Sequence, residues 1–271
     1  MSSFYSPQQI RDIAIETGEK KAKLPLPAVL ILGFLAGAFI ALGFLLDIRV
    51  IGTAPKEWGS VAGFLGAAVF PVGLILTVLA GGELLTGNMM TLPMAWFSRK
   101  IGFGAVLKNW ILVTVANFIG AVFVAYFFGH VAGLTEGAFL AKTVAVAEAK
   151  VHDSFLQAFV SAIGCNWLVC LAVWLGYGAK DVTGKIVGIW FPVMAFVAIG
   201  FQHVVANMFV IPAAIFAGQM SWSQYFPNFA AVFLGNLIGG AVFVALAYFA
   251  AYRQPAGSML PLAEKANHKS A

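Results

Sequence analysis

The stretch IVGIWFPVMAFVAIGFQHVVANMFVIPAAIFA, Ile186–Ala217, decides the fold. It holds no Lys, Arg, Asp or Glu, and the charge-free run continues to Tyr252 with His203 as its only imidazole. About 20 apolar residues cross a bilayer once. A run of this length is therefore embedded in lipid, yet Ile186–Ala217 is too long for one simple span. It also carries Gly200, Gln202, His203 and Asn207 midway. Backbone that leaves the helix at such depth must be buried in protein or line a wet cavity.

The pattern recurs upstream. From Gly59 to Ser98 the only charged side chain is Glu83, set among Gly81, Gly82, Thr86, Gly87 and Asn88. Further apolar segments run over Pro27–Leu46, Trp110–Gly129, Phe155–Gly178 and Phe226–Tyr252. With Val61–Phe97 and Ile186–Ala217 they make six, and the second and fifth are the long, interrupted ones. Of 271 residues, 61% are hydrophobic and 10% charged, against about 25% charged in a soluble domain. A soluble fold is excluded. The net charge of +5 does not signal nucleic acid, because the basic residues sit singly or in small groups beside apolar runs, where they set membrane orientation. Cys165 and Cys170 share one apolar segment and read as small buried side chains. Met1–Lys23 lacks the order of a cleavable leader, so no removable signal peptide is expected.

An internal repeat organises the chain. Phe70-Pro71-Val72 returns as Phe191-Pro192-Val193, and Asn88-Met89 followed by Pro93 returns as Asn207-Met208 followed by Pro212. Asn109 and Asn117 match Asn228 and Asn236, and Ala121-Val122-Phe123-Val124 matches Ala241-Val242-Phe243-Val244. Ala38-Phe39 is paired with Ala158-Phe159; all offsets fall between 119 and 121. Three spans per repeat is an odd number, so the halves face opposite ways, as in transporters and channels with a solute site at broken helices. The expected fold is all-α: six transmembrane helices as two inverted three-helix repeats, with interrupted second and fifth helices. The division is an N-terminal segment (1–26), a first repeat (27–135), a connection (136–154), a second repeat (155–252) and a C-terminal tail (253–271). Lys and Arg number 12 on the side of both termini and four on the other, placing the termini in the cytoplasm and the chain in the plasma membrane.

His203 is the sharpest functional candidate, since membranes rarely tolerate such a group without use for it. Glu83 reads as structural, tying freed backbone amides together; a fixed negative charge in the path would repel anions. Thr86 stands at the first break, either as a helix cap or as a hydroxyl offered to a solute. Asn88, Asn166 and Asn207 satisfy backbone groups freed by the breaks. Phe70, Leu74, Leu84 and Phe196 narrow a pore or simply pack. Lys150 draws anions to an entrance or is merely solvated. No phosphate loop, nucleophile triad, metal cluster or cofactor site appears, and the chain does not read as an enzyme.

Gly81-Gly82-Glu83-Leu84-Leu85-Thr86-Gly87-Asn88 and Gly200-Phe201-Gln202-His203-Val204-Val205-Ala206-Asn207-Met208 resemble the two signature regions of the formate/nitrite transporter family. Lys108-Asn109-Trp110 and Asn166-Trp167-Leu168-Val169-Cys170 extend the likeness, which is closest to the formate transporters of Bacillus-type bacteria. The resemblance implies an aquaporin-like fold, a homopentamer and a pore in each protomer. It implies Thr86 as loop threonine, His203 as central histidine, Asn207 and Asn166 as polar pore residues and Lys150 as vestibule lysine. Leu74, Leu84 and Phe196 match the constrictions. Many members have Glu before the histidine, where this chain has Gln202, which removes that carboxylate from any proton-transfer scheme. The implied activity is passage of formate, a small monovalent anion, by anion–proton symport or as a pH-dependent channel. Nitrite and hydrosulfide are alternatives, and a neutral-solute channel is weakened by the lack of paired Asn-Pro-Ala motifs.

Overall fold

The computed structural model describes residues 4–252. The tail 253–271, with three of the basic residues counted above, lies outside the described residues. Every regular element described is helical. In chain order these are α1 (Pro7–Ala22), α2 (Leu26–Ile51), α3 (Ser60–Gly81), α4 (Leu85–Phe97) and α5 (Phe103–Val131). They continue as α6 (Leu140–His152), α7 (Phe155–Gly178), α8 (Val182–Ile199), α9 (Val204–Phe216) and α10 (Trp222–Ala251). Among the described residues six helices, α2, α3, α5, α7, α8 and α10, are long and apolar enough to cross a membrane.

Two polar segments fold into helices that apolar patterning had not marked. Ser6 caps α1 by accepting from the Gln9 amide, while the Gln9 side chain accepts from the Ser6 amide, satisfying two amides that a helix start leaves open. The Arg11 guanidinium of α1 donates to the Tyr252 carbonyl, tying the first helix to the end of the last. The second such segment is α6, in the connection between the two halves.

The tightest packing runs through glycine. A Cβ at Gly37 of α2 would collide with the Asn117 carbonyl of α5, and one at Gly239 of α10 with the Ile163 carbonyl of α7. Hydrocarbon outside the bundle is as apolar as leucine, so helices associate there by close van der Waals approach rather than by exclusion from water. The pairs α2/α5 and α7/α10 thus flank α3–α4 and α8–α9. The two short helices α4 and α9 form the centre, each buried along almost its whole length.

Candidate functional site

Helix α3 ends in a π-helical stretch, Thr77–Gly81, and the chain is extended at Gly82 and Leu84 before α4 begins. Helix α8 ends at Gly200, which takes a left-handed φ of 88°, and His203 is extended before α9 begins. Glycine reaches that φ without a Cβ clash, which makes it a natural helix stop. Each gap frees backbone amides and carbonyls inside the bundle, where an unpaired one is costly.

Asparagines close the first gap. Asn117 Oδ1 accepts from the Leu85 amide at 2.9 Å, while its Nδ2 donates to the carbonyls of Gly33 at 2.7 Å and Glu83 at 2.8 Å. Glu83 accepts from Lys21 Nζ at 2.6 Å and from Asn88 Nδ2 at 2.8 Å, and Asn88 also donates to Asn109 Oδ1. The second gap repeats the scheme. Asn236 Oδ1 accepts from the Val204 amide at 2.9 Å, and its Nδ2 donates to the carbonyls of Ala162 and Gln202 at 2.7 and 3.0 Å. Asn207 Nδ2 donates to Gln202 Oε1 at 2.8 Å and to Asn228 Oδ1 at 2.9 Å. Gln202 Nε2 donates to Asp153 Oδ2 at 2.7 Å and to the Lys150 carbonyl at 3.0 Å.

The preceding helices join in with a different register. The Glu83 amide donates to the Leu32 carbonyl and the Gln202 amide to Ser161 Oγ, positions 129 apart. Gly33 and Ala162, the carbonyls bound by Asn117 and Asn236, are also 129 apart. The match of Ala38-Phe39 with Ala158-Phe159 at 120 is therefore not the spatial one. The difference from the 119 of the breaks, 129 − 119 = 10 residues, goes into longer helices α2 and α3 and the longer connection 52–59 between them.

His203 stands in the second break and reaches the helix that follows the first. Its Nδ1 accepts from the Ala206 amide at 3.0 Å, and its Nε2 stands 3.0 Å from Thr86 Oγ1. A nitrogen that accepts a backbone N–H carries no proton, so the neutral ring holds its proton on Nε2 and donates it to Thr86. The threonine hydroxyl keeps its own proton to donate onward. A second ring proton would have to displace the Ala206 amide at the positive end of α9. The resting imidazole is thus neutral and serves as a donor.

A cavity of about 10 Å³, room for about one water, is lined by Ile40, Phe70, Leu74, Leu84, Val169, Val193, Phe196 and His203. His203 is the one polar side chain in that wall. Phe196 stacks on its ring at 5.6 Å between centroids, and Phe70 meets Phe196 edge-on at 5.7 Å. Leu74 and Leu84 also close the floor of a larger cavity of about 360 Å³, which opens past Gly82, Glu83, Tyr177, Lys20 and Lys21.

The structure therefore brings Phe70, Leu74, Leu84, Phe196 and His203 to one cavity, with Thr86 on His203 behind it. Asn166 and Asn207 are not among the residues that line it: Asn166 Nδ2 donates to the Asn236 carbonyl at 2.6 Å and the Thr86 carbonyl at 3.3 Å, and Asn207 donates through Nδ2 as above while its buried Oδ1 has no hydrogen-bond partner. Lys150 Nζ donates to the carbonyls of Gly200 and Phe201 at 3.0 and 3.1 Å, capping the end of α8. Burial holds its ammonium below the ordinary lysine value. Sequence reasoning assigned no role to Lys21, Asp153 or Ser161. Asn117 and Asn236 were visible as repeat partners, and an amide at matched positions in apolar helices was the available signal for their task.

The sequence profile of the formate/nitrite transporter family matches residues 8–250. An uncharacterized transporter, YrhG, of Bacillus subtilis (strain 168) is 66% identical over 253 residues, 93% of this chain and 95% of that protein. The formate channel BtFdhC of Bacillus thuringiensis is 61% identical over 257 residues, covering 95% and 99%. Among solved structures, an FNT family ion channel superposes with a TM-score of 0.84 at 29% identity, covering 91% of this chain and 99% of that one. A pentameric formate channel with formate bound gives 0.73 at 29% identity, covering 84% and 98%. A profile spanning nearly all of the chain and relatives matched along nearly their whole length lead to one conclusion: the chain belongs to the formate/nitrite transporter family.

Proposed function

We propose that the protein carries formate across the plasma membrane, one pore per protomer of a homopentamer, with both termini in the cytoplasm. The observation that carries this reading is the shared floor. Leu74 and Leu84 separate an open vestibule from a small apolar cavity whose single polar wall residue is His203. In this reading the halves form an inverted repeat, α2–α5 and α7–α10, with α3–α4 and α8–α9 as the interrupted second and fifth spans. The recurrence of the Asn117 and Asn236 hydrogen bonds supports it. The name of the Bacillus thuringiensis relative supports the substrate, and the pentameric neighbour supports the assembly. Lys150 flanks the second break and draws an anion toward the path from that side, whereas the charge of Lys21 at the first break is balanced by Glu83.

A bare anion does not cross an apolar constriction cheaply. Neutralising a carboxylate of pKa about 4 at pH 7 costs roughly 4 kcal/mol, less than most costs of moving an unpaired charge through a dry pore. The anion therefore passes Leu74, Leu84, Phe70 and Phe196 in company with a proton, and His203 receives it by turning its Nε2–H from Thr86 onto the incoming oxygen. A donor facing a charged or polarised oxygen contributes about 1.5–3 kcal/mol. His203→Phe in proteoliposomes should thus lower formate-driven internal acidification by roughly ten- to a hundredfold. Undiminished flux in that variant would remove the histidine from the mechanism. Flux of nitrite or hydrosulfide without formate would replace the substrate and keep the path, and a formate current that reverses with membrane potential would replace proton coupling by channel conduction.

A further inference from the structure

Asp47 belongs to none of the networks above. It is the one acidic residue of the α2 span, it is 5% exposed, and its Oδ1 has no hydrogen-bond partner. A Cβ at Gly66 of α3 would collide with that same oxygen, so the glycine leaves the space the carboxylate occupies. Ile40, in the wall of the His203 cavity, lies seven residues earlier on the same helix face. Between them Phe44 meets Phe70 edge-on at 5.5 Å. The stripe Ile40, Phe44, Asp47 therefore runs from the cavity toward the side on which Lys150 closes the second break. Among the described residues, the charged groups that act on Asp47 are Lys142 and Lys150, both on α6.

Two effects oppose each other at this carboxyl group. Burial with an unpartnered oxygen penalises the anion, while two ammonium groups of α6 favour it. The charge matters to an incoming anion because it stands in the field of Lys150, the lysine that attracts that anion.

We propose that Asp47 is a proton-binding residue of the outer entrance, whose charge governs how readily an anion reaches the cavity. Ionised, it offsets the field of Lys142 and Lys150; protonated, it leaves that field unopposed. This rests on the anion-transport reading and on the orientation given above.

The test compares the full chain with Asp47→Asn, a permanent mimic of the neutral acid, in right-side-out vesicles. Initial formate influx is measured as external pH rises from about 5 to about 8. Proton coupling acts on both proteins, so the ratio of variant to wild type isolates the residue. That ratio should stay near unity at the acid end and rise by about threefold or more at the alkaline end. A flat ratio overturns the proposal. Should the variant fail to insert, infrared difference spectra of the wild type decide. A carboxylic-acid C=O band lacking a hydrogen bond should appear on acidification, and a spectrum without one overturns proton binding. Absence of wild-type formate influx at every pH would instead sink the transport reading, with the infrared band still reporting on Asp47.

Discussion

At the first break Glu83 accepts from Lys21 and from Asn88; at the second, Gln202 holds the corresponding place, accepts from Asn207 and donates to Asp153. The asparagine framework around the two is the same, down to the amide of the first α4 or α9 residue and the carbonyl of residue 83 or 202. What differs is the sign of the outside partner. A cation beside residue 83 suits a carboxylate, and an anion beside residue 202 suits an amide that can donate. A glutamate in place of Gln202 would set two carboxylates against each other at about the 2.7 Å that separates Gln202 Nε2 from Asp153 Oδ2. The departure from the commoner family pattern is thus matched by a neighbour, and the framework itself is indifferent to which residue fills the place.

The largest expected effect breaks the first side of this comparison. Glu83→Leu leaves Lys21 facing a buried wall and Asn88 without one partner, and removing one member of a buried pair costs about 3 kcal/mol or more. Thermal unfolding in detergent should fall sharply, while Lys21→Met with Glu83→Gln together should recover most of the loss. Comparable losses are expected of Asn117→Leu and Asn236→Leu, each of which strands one amide and two carbonyls, at about 1–3 kcal/mol per unpaired group. Similar losses in the two variants would confirm that the breaks share one framework; a loss confined to one would end the analogy.

Gln202→Glu sharpens the comparison from the other side. The introduced carboxylate and that of Asp153 would each resist ionisation beside the other, so their folded pKa values would lie above the unfolded ones. That contribution to stability is present at low pH and is lost as pH rises. The variant should therefore weaken relative to wild type above about pH 5, by roughly 1–2 kcal/mol, with Asp153→Asn restoring it. The smallest effect belongs to Lys150→Met, which removes a cap from the Gly200 and Phe201 carbonyls at about 1 kcal/mol. Anion influx from that side should fall a few-fold, an effect that salt diminishes.

Much of this was legible in the residues. Charge-free runs marked six spans because no water exists in hydrocarbon to accept a charge, and the offset of 119 announced that both long segments break alike. His203, Phe70, Leu74, Leu84 and Phe196 stood out as a polar group and bulky apolar ones near those breaks. The register of the first helices was misread, because Ala-Phe pairs are cheap in apolar sequence and carry no directional bond. Lys21 and Asp153 were invisible as partners, since they sit in segments whose patterning marked them only as polar.

By itself, then, the sequence determined that the chain is a multi-pass membrane protein with six helices long and apolar enough to cross a bilayer, and it set glycine where α3 and α8 end. Those are consequences of transfer free energy and of glycine's backbone freedom, both local in the chain. The tertiary structure alone decided which groups meet across it. It put Thr86 on His203, 117 residues away in the chain, and turned Asn166 Nδ2 onto the Asn236 carbonyl and Asn207 Nδ2 onto the Gln202 and Asn228 side chains. A hydrogen bond needs a distance and an angle, and only the packed helices supply them.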